Sequence, residues 1–98
     1  VDSLGWVLCR LGRYDEAVEH MEKAAELLPV DPIVNDHLGD VYWAVGRKVE
    51  AEFQWRRALS FDPEPEAADR IRRKLEVGLD RVLEEEGAEP LHMANDAN

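Results

Sequence analysis

The sequence predicts an all-α fold in which one helical hairpin is used twice and a further helix closes the chain. Three observations carry this: self-similarity at an offset of 34 residues, apolar stripes at helical spacing inside each copy, and Gly, Asp and Pro punctuation where the stripes break. At that offset Leu4, Gly5, Val7, Gly12, Arg13, Glu16, Ala17, Ala24 and Pro29 return as Leu38, Gly39, Val41, Gly46, Arg47, Glu50, Ala51, Ala58 and Pro63. Conservative pairs fill the gaps, Leu8 with Tyr42, Leu11 with Val45, Met21 with Trp55 and Leu27 with Phe61.

The first helix of the second copy is marked by Leu38, Val41, Tyr42 and Val45 at i, i+3, i+4 and i+7. Gly46, and Gly12 in the first copy, stand where a left-handed C-cap ends such a helix. After the break Ala51, Trp55, Ala58 and Leu59 form the second stripe, and Pro29 and Pro63 close the second helices. Asp31 is the expected N-cap of the second copy, with Pro32 at its first helical position. Gly5 and Gly39 sit mid-helix at about 1 kcal/mol each relative to Ala, which makes sense where a partner helix approaches closely. Ala17 and Ala51 offer the opposing small face, and Met21 and Trp55 fill the space beside them.

The pattern Leu38, Gly39, Tyr42, Gly46, Ala51, Trp55, Ala58 and Pro63, with Leu4, Gly5, Leu8, Gly12, Ala17, Met21, Ala24 and Pro29 before it, resembles the tetratricopeptide repeat. The resemblance covers residues 1 to 65 and implies a right-handed array of helical hairpins, with repeats at about 1–31 and 32–65. Two departures are visible: Asn35 replaces a large residue early in the second copy, and Leu8 replaces the usual Tyr in the first. By phase Val1 is the fourth position of its repeat, so the expectation is a C-terminal fragment of a longer array.

Residues 66 to 86 carry Ala67, Ala68, Ile71, Leu75, Leu79, Val82 and Leu83 on one stripe and read as a single long capping helix, with Gly78 as a candidate kink. Arg72 and Arg73 stand where Leu and Gly would recur, so this is not a third full repeat. Gly87 is the expected terminator, and Glu84, Glu85 and Glu86 oppose the helix dipole there, which predicts fraying. Residues 87–98, with Pro90, His92 and Met93, read as a disordered tail.

Ninety-eight residues suit one core, and 45% hydrophobic residues supply it. With 22 acidic against 12 basic side chains, the net charge of -10 repels phosphate backbones and anionic lipid, so neither nucleic acid nor membrane is an expected partner. No apolar run approaches the ~20 residues that span a bilayer, which favours a soluble chain, cytoplasmic by weak preference. The lone Cys9 excludes an internal disulfide and reads as a small buried hydrophobe.

No phosphate-binding glycine loop, nucleophile elbow or zinc helix motif is present, so the expectation is no enzyme, no cofactor and no metal. Glu16 and His20 at i, i+4 form a candidate exposed pair, and Asp36, His37 and Asp40 read as a solvated polar face. Arg70, Arg72, Arg73 and Lys74 lie among Glu66, Asp69 and Glu76, so they read as a mixed-charge solvent face rather than an anion site.

What the resemblance implies for function is a concave groove lined by the first helices. Its positions fall at Asp2, Trp6, Cys9 and Arg10, then at Ile33, Asp36, Asp40 and Trp43, with His37 adjacent. Trp6 and Trp43 lie off the core stripe and are candidate anchors; the alternative is packing between neighbouring repeats, favoured for Trp43 and evenly balanced for Trp6. Some family members clamp a carboxylate-ended tail with Lys, Asn and Arg, and this chain lacks that set. Asp36 and Asp40 point instead to a cationic or mixed-charge segment. The functional expectation is a non-catalytic protein-protein interaction module binding a peptide or partner helix, or alternatively a structural end of a larger scaffold whose ligand site lies upstream. Leu4, Trp6, Leu8 and Leu11 together suggest weak self-association through the first helix, centred near Trp6.

Overall fold

The computed structural model describes residues 4–88. Six helices follow one another: α1 (Leu4–Arg10), α2 (Tyr14–Leu27), α3 (Pro32–Ala44), α4 (Lys48–Ser60), α5 (Pro65–Val77) and α6 (Leu79–Glu85), with no strand among the described residues. The repeat copies become the hairpins α1/α2 and α3/α4; α2 packs on α3, α4 on α5, and α1 also touches α3. Thus α1 and α3 lie side by side in one layer, with α2 and α4 behind them.

Both hairpin turns are built alike. Gly12 and Gly46 have φ of +80° and +89°, and the N–H of the following Arg13 and Arg47 donates back to Leu8 and Tyr42 at 2.8 Å in each case. Only glycine takes that left-handed geometry without strain. The second copy opens as expected: Asp31 Oδ1 accepts from the N–H groups of Ile33 and Val34 at 2.8 and 3.1 Å, and Pro32 begins the helix. Asn35, the departure from the repeat pattern, is buried and donates to the carbonyls of Pro29 and Asp31 at 3.1 and 2.8 Å, which fixes the loop between hairpins.

The core runs through Leu8, Ala17, Met21, Leu38, Val41, Tyr42, Ala51, Trp55 and Ala58. The mid-helix glycines sit at its tightest points. A Cβ on Gly39 would stand 2.5 Å from the Trp55 ring and 3.0 Å from the Ala51 carbonyl, and one on Gly5 would stand 2.6 Å from Met21 Sδ. Tyr42 reaches out of the core to donate to Glu22 Oε2 at 2.6 Å, and burial together with that carboxylate pushes its hydroxyl up to about 12.

The carboxyl third departs from the expectation of one helix over 66–86. The chain breaks at Gly78, which has φ of +88° and ends α5 while starting α6. α6 then runs back antiparallel along α5, since Glu86 meets Arg70 and Glu85 meets Arg73, each at 2.6 Å. The register also shifts. Pro65 opens α5 as Pro32 opens α3, an offset of 33, so Ala68, Ile71, Lys74 and Leu75 take the places of Asn35, Leu38, Val41 and Tyr42. Arg72 then stands in the place of Gly39. A long, exposed side chain there replaces the glycine that lets α4 approach α3 closely, and α6 instead meets α5 through Arg70 and Arg73.

Glu84 and Glu85, where fraying is expected, lie within α6, and Glu86 is its C-cap. α6 stays helical through Glu85 because the α5 arginines neutralise the carboxylates that would oppose its dipole, and Arg73 and Arg70 hold Glu85 and Glu86 below the usual glutamate range. Gly87 terminates the helix as expected, the Ala88 N–H donating to Leu83 at 2.9 Å. The rest of the expected tail, with His92 and Met93, lies outside the described residues.

Candidate interaction face

The layer containing α1 and α3 presents the positions singled out in the sequence, and the structure divides them into two groups. In the first, Trp6 is half-buried with the Arg10 guanidinium 5.3 Å above its ring, Ile33 is 56% exposed, and His37 is half-buried. Cys9 is buried as expected, and burial pushes its thiol up to about 11, which leaves it a packing residue rather than a nucleophile. Asp2 lies outside the described residues.

The second group is engaged by the chain itself. Asp36 and Asp40 do not form a solvated face: both are buried, and each places an Oδ1 at 2.8 Å from Lys74 Nζ of α5. Asp40 Oδ1 also accepts from Trp55 Nε1 at 3.0 Å. Burial raises the Asp40 carboxyl above its usual range, and Lys74 draws it back down. Trp43, the other candidate anchor, packs against Trp55 at 5.4 Å between ring centroids, lies against Gly78, and donates its indole N–H to Asp80 of α6. It is a half-buried contact to the carboxyl hairpin, in line with the packing alternative.

The basic cluster is likewise not a uniform solvent face. Arg72 pairs with Asp69 at the surface as expected, but Lys74 has a fully buried side chain, and Arg70 and Arg73 clasp α6. These three residues are what the sequence reading missed. The signal was the Glu64-Pro65 step: aligned with Asp31-Pro32, it places Lys74 where Val41 is buried and so marks a cation that must meet partners inside. The candidate Glu16–His20 pair does not form; Glu16 takes a two-pronged contact from Arg13 at 2.6 and 2.8 Å.

The outer edge of α1 exposes Leu4, Val7 and Leu11, whereas Leu8 is buried in the hairpin. The uncovered stripe therefore differs from the expected one centred on Trp6. Its logic is visible in the repeat: Val41 is 0% exposed, covered by the preceding hairpin, and its copy Val7 is 42% exposed.

Among the described residues no group of three or more His, Cys, Asp or Glu is placed to hold a metal ion, and no helix is long and apolar enough to cross a membrane. The family model described as tetratricopeptide repeat matches residues 2–29. A TPR repeat-containing protein of Pseudomonas aeruginosa is 38% identical over 69 residues, which is 69% of this chain and 12% of that protein's length. No solved structure matches the chain. Tetratricopeptide repeats are in general non-catalytic modules for binding other proteins. With the 34-residue copies, the stacked glycine-crossed hairpins and these matches in agreement, the chain belongs to the tetratricopeptide repeat proteins.

Proposed function

We propose that the chain is a non-catalytic interaction module that takes a peptide or partner helix on the α1–α3 layer, through Trp6, Arg10, Ile33 and His37, with Asp2 in the same register. The observation that carries this reading is the Arg10-covered Trp6 in the same helical layer as the exposed Ile33. An aromatic ring, an aliphatic anchor and a cation suit a partner of mixed charge. The buried Lys74 pairs with Asp36 and Asp40, the residues behind the cationic alternative, which leaves the mixed-charge one. Neither nucleic acid nor membrane belongs to this reading, on the strength of the net charge of -10. Peptides selected against the whole chain should shift the NMR signals of the Trp6 indole, Ile33 and His37, and Trp6→Ala should weaken them at least about tenfold. Peptides that bind Trp6→Ala as well as the parent, or that shift only α2 and α4, would refute it.

A second reading, an end piece of a larger scaffold, is favoured by the α1 edge, where Val7 is exposed and its copy Val41 is covered by a hairpin. On that reading the edge stacks on another hairpin, and in isolation gives weak self-association that salt strengthens by screening the net charge of -10. Sedimentation at low and moderate salt tests it: Val7→Glu should abolish the association, and an unchanged concentration dependence would exclude this edge.

A further inference from the structure

We propose that α6 exchanges between two copies of this chain. Gly78 straightens, α5 and α6 become one continuous helix, and the α6 of each copy docks along the α5 of the other in the place it holds within the single chain.

Four observations converge on this. The link between α5 and α6 is one residue, Gly78, and α6 starts without a side-chain N-cap. Ala68, Ile71, Leu75, Leu79 and Val82 keep helical spacing straight through that link, so the local sequence favours the uninterrupted helix that the folded hairpin denies. The side-chain pairs that hold α6 run to a compact patch on α3 and α5, Trp43 with Asp80, Arg73 with Glu85 and Arg70 with Glu86, and a second copy offers the same patch. Finally, α5 and α6 are antiparallel, so two straightened helices placed side by side reproduce every pair about a twofold axis near Gly78. That is the closed, isologous arrangement of a two-subunit exchange.

Leu79, Val82 and Leu83 are buried in the folded-back chain, and the exchanged form offers them the same patch on the second copy, so the balance rests on concentration and on the hinge. A side chain at position 78 tips it. A Cβ there would meet Trp43 Cζ2 at 2.7 Å and would sit at φ of +88°, both unfavourable in the folded-back hairpin and both relieved in the straight helix.

Two experiments on the whole chain decide the matter. Gly78→Ala should form a slowly exchanging dimer whose dissociation constant, from sedimentation equilibrium, is at least about tenfold below that of the parent chain. A folded Gly78→Ala variant that stays monomeric at millimolar concentration would overturn the proposal. If that variant does not fold, a charge-swapped pair decides alone. One partner carries Arg70→Glu with Arg73→Glu, the other Glu85→Arg with Glu86→Arg, so each repels its own α6. Only when the two exchange α6 is every ion pair restored. A 1:1 complex forming on mixing, at least about tenfold tighter than either self-association, is the expected result, and Val7→Glu in both partners should leave it intact, which separates it from association through α1. A mixture no more associated or helical than its components would refute the exchange.

Discussion

Lys74 Nζ lies 2.8 Å from Asp40 Oδ1 and 3.1 Å from Oδ2, with no solvent contact of its own, so the cation that closes the α3–α5 seam is wholly internal. Removing it leaves Asp36 and Asp40 buried without a counter-charge. Lys74→Met should therefore cost about 3–5 kcal/mol in urea denaturation at neutral pH, and adding Asp36→Asn and Asp40→Asn should recover much of that. The sign of the pH dependence follows from Asp40. Its folded pKa is already raised above the ordinary 3.8 by burial, so the contribution to stability is full below that value and is lost as pH rises through the raised one. Without Lys74 the effect grows, and the variant should gain stability on acidification from neutrality. A Lys74→Met chain as stable as the parent at pH 7 would mean the seam admits water.

The two mid-helix glycines should respond differently to a methyl group. At Gly39 the added carbon meets the rigid indole of Trp55, itself held by Asp40, so Gly39→Ala should destabilise by roughly 1–3 kcal/mol, and Gly39→Leu by more, well beyond the cost of Cys9→Ser. At Gly5 the added carbon meets the buried Met21, so Gly5→Ala should also destabilise, but less than Gly39→Ala, because an unbranched thioether has more ways to repack than a rigid indole. Denaturation midpoints compared across the variants check the order; equal losses at Gly5 and Gly39 would contradict it.

Residues 4 to 63 were legible because each signal there is local: glycines at turns and crossings, a Pro after an N-cap, stripes at helical spacing. The 34-residue comparison then reinforced each signal with its copy. The carboxyl third was harder for two reasons. A stripe that passes smoothly through Gly78 carries no information about whether the helix bends back there, because that outcome depends on Trp43 and on the Arg70 and Arg73 pairs across the fold. A lysine at a core register looks like its exposed neighbours until the shift from 34 to 33 residues is recognised. Asp36 and Asp40 read as solvated in the sequence for the same reason, their partner being more than thirty residues away in the chain.

The loop joining the hairpins rests on two side chains, Asp31 and Asn35. Asp31→Ala removes the acceptor for two N–H groups of α3 and should cost about 1 kcal/mol, within the ordinary range for an N-cap. Asn35→Leu restores a large apolar residue at the departure from the repeat pattern but removes the Nδ2 donor, leaving the Asp31 carbonyl with only the residue-35 N–H at 3.1 Å and the Pro29 carbonyl with only the Arg57 guanidinium at 3.4 Å. A net loss of roughly 1–3 kcal/mol is expected, read from the same denaturation curves. A gain in stability would show that water replaces Asn35 there without penalty.

Acid should loosen α6 before it loosens the repeats. Arg73 holds Glu85, and Arg70 holds Glu86, below the ordinary glutamate value of 4.5. Their folded pKa values are depressed, so the stability they contribute is present above 4.5 and is lost as pH falls through the lowered values. Asp40 has the opposite sign, so protonation favours the α3–α4 core while it weakens the clasp on α6. The two effects separate in space. As pH falls from neutral through and below the ordinary glutamate value of 4.5, amides of residues 79–85 should lose exchange protection while those of α3 keep theirs, and the Trp43 indole signal should move as Asp80 and its helix let go. Arg73→Gln removes one clasp and should shift this transition to higher pH. Uniform protection across α3 and α6 over that whole fall in pH would show that apolar packing of Leu79, Val82 and Leu83, and not the arginine clasp, holds the helix down.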